Sequence, residues 1–455
     1  MAQQSEKELI NDLTTGSTGR KLLFMALPLM ASNLLQIVYH LVDMAVIGNV
    51  VGSVGQSAVS VSTDIITLST TLCMGFSYAG QVLVAQRIGR GDREALTKTI
   101  GSFLLIMLCG ALLVTALGLC FSPWLLRLMN TPDEALADAL AYTRTCFCGM
   151  LFVFGYNAIS GVLRGMGETK LPMLFIAIAS VTNVVLDLLF VAALGMGTFG
   201  AALATVIGQL LSFAACIIFA LKNAERLYFS FRLSSFRPDY ASACAIIKLG
   251  VPMSLQSAAV SMSKMFVNSF IYDYGVIAAA VTGMGDQIGQ SAYIVTEAIK
   301  SSTASAVGQN FGAGKLDRIS RTVGTAFVIN IAFAVLLSAA MVTLQKPIYM
   351  LFNSEEAFLE MALTFTPMVV LRFIGYALRS PFLGLINGLG RSGMSLIIGL
   401  LDAVVARVAI SLLLGVTLDM GIVGFWYGSV LSGFVPVIIG AVFWLTGAWK
   451  RSKPA

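Results

Sequence analysis

Long apolar runs separated by short polar segments follow one another along the whole chain. The runs lack the strict alternation of apolar and polar residues, and the length of roughly 10 residues, that mark the strands of a membrane barrel. They are about 20 to 28 residues long, which is enough for a helix to cross a hydrocarbon layer of roughly 30 Å. The pattern predicts an all-α integral membrane protein with twelve spanning helices. We expect them at 20–48, 55–86, 95–120, 134–164, 170–193, 198–221, 245–274, 278–310, 318–343, 357–386, 393–415 and 421–446.

Composition and loop charge agree with this prediction. Of 455 residues, 57% are hydrophobic and 11% are charged, whereas roughly a quarter of the residues in a soluble protein are charged. The net charge of +6 does not indicate nucleic-acid binding, because the basic residues lie in short loops between the apolar runs. Loops rich in Lys and Arg alternate with neutral or acidic loops such as 130–138 and 353–360. By the positive-inside rule both termini are predicted to lie in the cytoplasm, and the N-terminal segment has no signal-peptide pattern.

The chain contains an internal repeat. AQRIGRGDREALTKTIG, which begins at Ala85, resembles VGQNFGAGKLDRISRTVG, which begins at Val307, and GVLRGMGETK from Gly161 resembles GLINGLGRSG from Gly384. The matched positions lie 223 or 224 residues apart and include these pairs: Gln86 and Gln309, Asn130 and Asn353, Gly161 and Gly384, Pro28 and Pro252, Gly197 and Gly421.

The repeat predicts the domain organisation. We expect an N-terminal six-helix bundle at 1–221, a cytoplasmic linker at 222–244 and a C-terminal six-helix bundle at 245–455. Because each repeat has an even number of helices, both halves have the same orientation. They are then related by a pseudo-twofold axis along the membrane normal, as in an alternating-access transporter.

Two observations limit the chemistry. The segment GQNFGAGKL, 308–316, is close to a nucleotide-binding loop, but Gln309 stands where that loop needs Gly and Leu316 where it needs Ser or Thr. We therefore expect no ATP binding, and an ion gradient or the membrane potential must drive any transport. A single histidine and the lack of metal-type Cys spacing argue against metal-dependent catalysis. The sequence predicts no enzyme activity and no cofactor beyond a coupling ion.

The motifs together resemble the multidrug and toxic compound extrusion (MATE) family over essentially the whole chain. The resemblance rests on the duplicated six helices, the loops after helices 2 and 8, RGMGETK after helix 4, the early prolines of helices 1 and 7, and LVDMAVIG at 41–48. It implies antiport, in which protons or sodium ions enter as an organic compound leaves. The DinF-type branch is the most similar, because the acidic residues that the NorM-type branch places in helices 7 and 10 are absent here.

The resemblance also implies a cation-coupling site in the N-terminal bundle. Asp43 matches the helix-1 carboxylate of the DinF-type branch, and Asn183 and Asp187 match its helix-5 pair. Asn183 and Asp187 are four residues apart and share one helical face, and a carboxylate inside a span is costly unless it is protonated, paired or bound to a cation. A proton carrier and a sodium site at Asp43, Asn183 and Asp187 are both open. His40, three residues before Asp43, is either a proton relay or a packed side chain.

The C-terminal bundle carries an excess of cations. One interpretation pairs Lys300 with Glu297 and Arg407 with Asp402 as internal ion pairs. The other places Lys264 and Arg372 in the substrate cleft, facing an anionic or zwitterionic substrate. The residues predicted to line the cleft are Gln36, Lys264, Glu297, Arg372, Tyr376 and Arg379.

We expect a cation-coupled antiporter that exports amphipathic or drug-like compounds across the bacterial cytoplasmic membrane. Its predicted partners are a small-molecule substrate and the lipid bilayer, and we expect a monomer. A flippase for a lipid-linked saccharide or peptidoglycan precursor is the alternative, since the cationic C-terminal bundle suits a pyrophosphate head group. Such flippases usually carry more than twelve spans.

Overall fold

The structure is a computed structural model that describes residues 10–129, 131–229, 233–236 and 238–452. Asn130, one member of the repeat pairs, lies outside the described residues. Helices account for nearly all of the described chain. The twelve long ones are α1 (Thr18–Val50), α2 (Ser53–Arg90), α3 (Arg93–Leu128), α4 (Asp133–Cys148 and Met150–Gly165), α5 (Lys170–Ala193), α6 (Gly197–Lys222), α7 (Tyr240–Tyr272), α8 (Val276–Gly312), α9 (Leu316–Thr343), α10 (Glu356–Gly388), α11 (Ser392–Thr417) and α12 (Gly421–Leu445).

These helices have the length and composition of membrane spans. Ten of those described are long and apolar enough to cross a bilayer, and the bent pair that forms α4 makes eleven. The remaining helix, α8, has 37 residues and a more polar sequence. Large apolar side chains such as Val276 and Leu445, which are 85% and 82% exposed, suit contact with lipid. The predicted all-α fold with twelve helices is confirmed.

The chain forms two compact units. Unit 1 contains the segment up to Asp12 and Leu27–Ser254, and unit 2 contains Leu13–Ala26 and Leu255 onwards. The boundaries therefore fall inside α1, just before Pro28, and inside α7, just after Pro252. The repeat predicts matched bends at these prolines. Both helices continue through Pro28 and Pro252, although a proline has no N–H to donate to the preceding turn, and the bends stay a prediction.

Each unit has its own apolar core. The core of unit 1 includes the buried rings of Phe103, Phe147 and Phe154. The core of unit 2 includes Phe365 and Trp426, whose rings meet edge to face with centroids 4.7 Å apart. Such pairs add roughly 0.5–1.5 kcal/mol beyond the area that they bury. These cores hold the helices that present the polar side chains described below.

The repeat is visible in the packing as well as in the sequence. In unit 1, a Cβ on Gly165 would come within 2.6 Å of the Gln81 carbonyl oxygen and 2.9 Å of Val84. In unit 2, a Cβ on Gly388 would come within 2.7 Å of the Ala304 carbonyl oxygen and of Val307. Every one of these residues has its counterpart 223 positions away. Glycine lets α4 touch α2 in one unit and α10 touch α8 in the other, as small residues do at membrane helix contacts.

Three helices, α4, α5 and α11, depart from regular α-helix in ways that were not predicted. Span 4 was expected to be one helix, but it is broken at Gly149 and bent by 43°. The glycine packs against Val206, which a Cβ would approach to 2.8 Å. The end of α5 at Leu188–Ala193 and two stretches of α11, Leu401–Val408 and Leu413–Thr417, are π-helical. Such wide turns are rare and often lie at functional sites.

Candidate functional site

Three polar side chains that the sequence singled out are buried in unit 1. Asp43 on α1 is 4% exposed, and Asn183 and Asp187 on α5 are 3% and 0% exposed. The helical repeat puts Asn183 and Asp187 on one face of α5. Asp187 is the last residue of the α-helical part of α5, and the π-helical turn begins at Leu188.

The carboxyl groups of Asp43 and Asp187 form a pair. They are close enough to make a side-chain hydrogen bond with each other. Two ionised carboxylates have no proton to donate, so this bond requires that one of the two be protonated. Adjacent buried carboxyl groups cannot both ionise cheaply without a cation, and their titration belongs to the pair. The pair is therefore able to hold either one proton or a metal cation.

When both carboxyl groups are ionised, four oxygen atoms at this site lack a hydrogen-bond donor among the described residues. They are Asp43 Oδ1, Asn183 Oδ1 and both carboxylate oxygens of Asp187. The Asn183 side-chain nitrogen donates to Thr205 Oγ1 at 3.1 Å, which leaves the amide oxygen as the acceptor without a donor. Buried acceptors are normally satisfied, and oxygen ligands are those that a hard cation such as sodium prefers. The donor set fits a proton or a sodium ion.

Aromatic and thiol side chains surround the pair. Tyr39, Tyr142 and Cys146 are each close enough to Asp43 for an electrostatic interaction, and Tyr142 interacts with Asp187 as well. A low local dielectric around buried groups strengthens the attraction between a carboxylate and a bound cation. Within the described chain, no group of three or more His, Cys, Asp or Glu side chains is arranged to hold a metal ion. The site of Asp43, Asn183 and Asp187 has two carboxylates and an amide, so it is not a group of that kind.

His40 is not brought onto the carboxyl pair. Its ring packs on Tyr39 with centroids 4.4 Å apart, it is exposed, and no ion pair between His40 and Asp43 occurs in the described chain. The relay and the packed side chain both stay predictions for His40. Gln36 is partly buried and lies one turn before His40, on the same face of α1.

The residues predicted to line the cleft from the C-terminal bundle form two groups in unit 2. Lys264 Nζ and Arg372 Nη1 contact the two carboxylate oxygens of Asp286 at 2.9 and 2.8 Å. In the second group, the Arg379 guanidinium lies 4.3 Å from the centroid of the Tyr376 ring. These contacts join α7, α8 and α10.

Both predicted internal ion pairs of the C-terminal bundle are present. Glu297 Oε1 and Lys300 Nζ are 2.7 Å apart. Asp402 Oδ1 and Arg407 Nη2 are 3.1 Å apart, and these side chains are only 4% and 9% exposed. The second pair spans five residues of a π-helical stretch, whose hydrogen bonds join residues five apart. An ordinary α-helix brings together residues three or four apart instead.

Two residues of these sites escaped the sequence analysis. Thr205, which orients Asn183, lies in an apolar run whose hydroxyl groups carry no signal of their own. Asp286 was detectable, because it is a carboxylate inside predicted span 278–310 and lies eleven residues, or about three turns, before Glu297. That spacing places both acids on one face of α8.

The sequence profile of the MatE family matches the chain twice, over residues 28–189 and 252–413. The chain belongs to the MatE family. It is 32% identical over 310 residues to the probable multidrug resistance protein YpnP of Bacillus subtilis, covering 68% of each chain. It is 21% identical to the probable multidrug resistance protein NorM of Thermotoga maritima, covering 95% of this chain and 93% of that one.

Solved structures agree with the fold. The chain superposes with a TM-score of 0.87 on a multidrug resistance MATE family transporter of the MOP superfamily described in an outward-facing conformation, at 23% identity over 96% of this chain and 98% of that chain. It matches a MOP superfamily transporter from Pyrococcus furiosus equally well, with a TM-score of 0.87 and 23% identity over 97% and 98% of the two chains. The MatE fold thus accounts for both units and for the predicted duplication.

The two MatE repeats differ at the carboxyl site. The matched segments begin and end 224 residues apart, and this offset places Val267, Arg407 and Ser411 opposite Asp43, Asn183 and Asp187. Unit 2 therefore has Val267 and Ser411 at the positions of the carboxyl pair of unit 1, and the paired guanidinium of Arg407 at the position of Asn183. The coupling chemistry that the resemblance implies has its acidic residues in unit 1 only.

Proposed function

We propose that this MatE protein is a cation-coupled antiporter that exports amphipathic, drug-like compounds from the cytoplasm by alternating access. The observation that carries the proposal is the buried pair of Asp43 and Asp187 beside Asn183, with four oxygens that lack donors. Such an arrangement binds a cation reversibly because its charge is compensated only when the cation is present. The relatives YpnP and NorM are described as probable multidrug resistance proteins, which supports the choice of substrate.

The proposed cycle uses the pair as the coupling element. In the outward-facing state a proton or sodium ion binds at Asp43, Asn183 and Asp187 and neutralises the excess negative charge. The change in charge alters the packing of the helices that carry these residues, and the substrate leaves. Return to the inward-facing state releases the cation to the cytoplasm. The driving force per elementary charge is about 2.3 kcal/mol for each 100 mV of membrane potential.

The cellular setting belongs to the same proposal. We place the protein in a bacterial cytoplasmic membrane as a monomer, with both termini in the cytoplasm. The support is the alternation of loop charge along the sequence. It acts without ATP and catalyses no covalent chemistry.

Reconstitution tests the proposal. The purified chain is placed in proteoliposomes, and efflux of a fluorescent drug is measured under an imposed proton or sodium gradient. We expect gradient-driven efflux by the wild type and its loss, by about 100-fold or more, in Asp43→Asn, since the coupling carboxyl group is removed. Asp64→Asn is the matched control, because Asp64 is also a carboxylate within a span of unit 1 but is exposed. Equal efflux by wild type and Asp43→Asn would contradict the proposal.

A flippase function is the second candidate, and the cations of unit 2 favour it. Lys264 and Arg372 would suit a pyrophosphate head group, although twelve helices are fewer than such flippases usually carry. The same proteoliposomes distinguish the two functions. Flipping of a lipid-linked pyrophosphate that is insensitive to Asp43→Asn, together with no drug efflux, would establish the flippase.

A further inference from the structure

A stripe of charged and aromatic side chains runs along the helices of unit 2. On α8 and α10 its members recur at intervals of three, four or seven residues, which places them on one face of each helix. We call this set the cationic stripe. It consists of Lys264 on α7, Asp286, Tyr293, Glu297 and Lys300 on α8, and Arg372, Tyr376 and Arg379 on α10.

One end of the cationic stripe is a cluster of three charged side chains in direct contact. Asp286 uses one carboxylate oxygen for Lys264 and the other for Arg372, so the three side chains carry a net charge of +1. Arg372 Nη1 donates to the Gly285 carbonyl oxygen at 3.1 Å. A Cβ on Gly289 would come within 3.0 Å of Arg372 Cδ and Nη1. The missing side chain at Gly289 therefore makes room for the guanidinium against α8.

The other end combines aromatic rings with further charges. The rings of Tyr293 and Tyr376 meet at 6.0 Å, and Arg379 lies over Tyr376. Lys300 contacts Glu297 at 2.7 Å. Counted over its length, the stripe has four cations, Lys264, Lys300, Arg372 and Arg379, against the two carboxylates Asp286 and Glu297. Two positive charges are left over.

Exposure distinguishes the stripe from a structural ion pair. Asp402 and Arg407, which pair one to one, are 4% and 9% exposed. Lys264 is 46% exposed and Asp286 is 23% exposed. A half-exposed ammonium group in a membrane span cannot face hydrocarbon without a large cost. The stripe therefore borders water, where an additional anion can reach it.

The fold does not need these charges. By the 223-residue and 224-residue offsets of the repeat, the positions of Lys264, Asp286, Lys300, Arg372 and Arg379 correspond in unit 1 to His40, Thr63, Ser77, Gly149 and Tyr156. Unit 1 builds the same close glycine contacts between helices without a single formal charge at these positions. The charges of unit 2 consequently serve a purpose other than packing.

We infer that the cationic stripe binds the carboxylate or phosphate group of an amphipathic substrate, with its tyrosine rings against the apolar part. Lys264 and Arg372 supply the charge-assisted hydrogen bonds, and Asp286 holds the two cations in place until the substrate anion arrives. This inference deepens the proposed function, on which it rests for transport. It assigns the substrate class as an organic anion or zwitterion.

Two dyes with the same ring system and opposite charge test the inference. Fluorescein is an anion and tetramethylrhodamine methyl ester is a cation, and both are xanthenes. Binding to the full chain in phosphatidylcholine nanodiscs is measured by fluorescence anisotropy, which needs no ion gradient. We expect fluorescein to bind, and Lys264→Gln to weaken this binding by about tenfold or more because one of the two cations that bind the anion is lost. Asp286→Asn should strengthen fluorescein binding, since it removes the competing carboxylate.

Controls keep the result interpretable. Lys248→Gln alters another lysine of α7, near the start of the helix, and should leave fluorescein binding unchanged. The double variant Lys264→Asp with Asp286→Lys keeps the ion pair and the net charge. It tests whether fluorescein binding requires the net charge of the cluster or the lysine at position 264 itself. Failure of the wild type to bind fluorescein, or equal binding by wild type and Lys264→Gln, would overturn the inference.

The same experiment shows whether the bound anion is a lipid phosphate or a soluble anion. It also distinguishes this inference from the proposed antiporter function. Loss of fluorescein binding in phosphatidylglycerol nanodiscs means that the stripe takes a lipid phosphate, and retention means that it takes a soluble anion. If fluorescein binding depends on Lys264 but no gradient-driven efflux occurs, anion binding by the stripe is supported and the antiporter function is contradicted. Efflux of the cationic dye without any binding of fluorescein upholds the antiporter and rejects the stripe.

Discussion

The carboxyl groups of Asp43 and Asp187, one on α1 and one on α5, lie within hydrogen-bonding reach of each other in unit 1. The two side chains act as one acidic unit, because a proton or cation bound to either changes the charge that the other experiences. This relationship makes the two residues equivalent in function although they belong to different helices. It also determines how their variants should behave together.

The pair predicts non-additive variants. We expect Asp43→Asn and Asp187→Asn each to abolish gradient-driven efflux, and the double variant to lose no more than either single one, because residues that act as a unit are not additive. Efflux rates in proteoliposomes check this, with Asp64→Asn as the control. Losses that multiply in the double variant would show two independent sites.

The shared proton predicts proton release when a metal cation binds. Sodium bound by the carboxyl oxygens of Asp43 and Asp187 and the amide oxygen of Asn183 would displace the proton that links the two carboxyl groups. We therefore expect a weakly buffered solution of the purified protein to acidify when sodium chloride is added. Choline chloride should have no effect, and Asp187→Asn should release little. Absence of sodium-dependent release from the wild type, with proton-driven efflux intact, would leave the proton as the only coupling ion.

Thr205 is expected to act through Asn183. Its hydroxyl accepts the Asn183 amide N–H at 3.1 Å and so leaves the amide oxygen for the cation. Thr205→Val keeps the shape but removes the acceptor, and loss of such a supporting contact typically costs about 10–100-fold in cation affinity. Thr205→Ser retains the acceptor and should resemble the wild type. The cation concentration needed for half-maximal efflux measures the effect. An unchanged value in Thr205→Val would contradict the proposed support of Asn183 by Thr205.

The buried pair in α11 predicts a stability effect. Arg407→Met leaves the Asp402 carboxylate without its partner, which should cost about 3–5 kcal/mol of the free energy of unfolding. The double variant Asp402→Leu with Arg407→Met should recover most of that loss, because replacement of both partners by apolar groups is often neutral. Thermal unfolding in detergent provides the comparison. A double variant as unstable as the single one would show that the pair specifies the π-helical turn.

The glycine contacts predict matched effects in the two units. Gly165→Ala and Gly388→Ala place a Cβ at 2.6 and 2.7 Å from a backbone oxygen, and each should lower stability by about 1–3 kcal/mol through overpacking. Gly324→Ala is the control, since nothing lies within 4 Å of its Cβ, and a helical Gly→Ala change gains up to about 1 kcal/mol. The melting temperatures of the three variants test this prediction. Equal values would mean that the helices shift to relieve the contact.

Much of the fold follows from sequence patterns alone. The length of the apolar runs determines twelve spanning helices, because a helix must match the thickness of the bilayer. The recurrence of Gly161 and Gly165 at Gly384 and Gly388 determines the duplication, because these helix contacts tolerate no side chain. Asp43 was identifiable because a carboxylate inside an apolar span is costly, whereas Asn183 and Asp187 were implied by the family resemblance.

Tertiary structure decided which of these polar groups meet. The sequence could not place the Asp187 carboxyl group beside Asp43 rather than beside His40, because contacts between helices depend on their rotation and packing. It could not assign Asp286 as the shared partner of Lys264 and Arg372, or Thr205 as the support of Asn183, for the same reason. The pair Asp402 and Arg407 was expected from their nearness in sequence. Its five-residue spacing required the π-helical turn that local propensity does not encode.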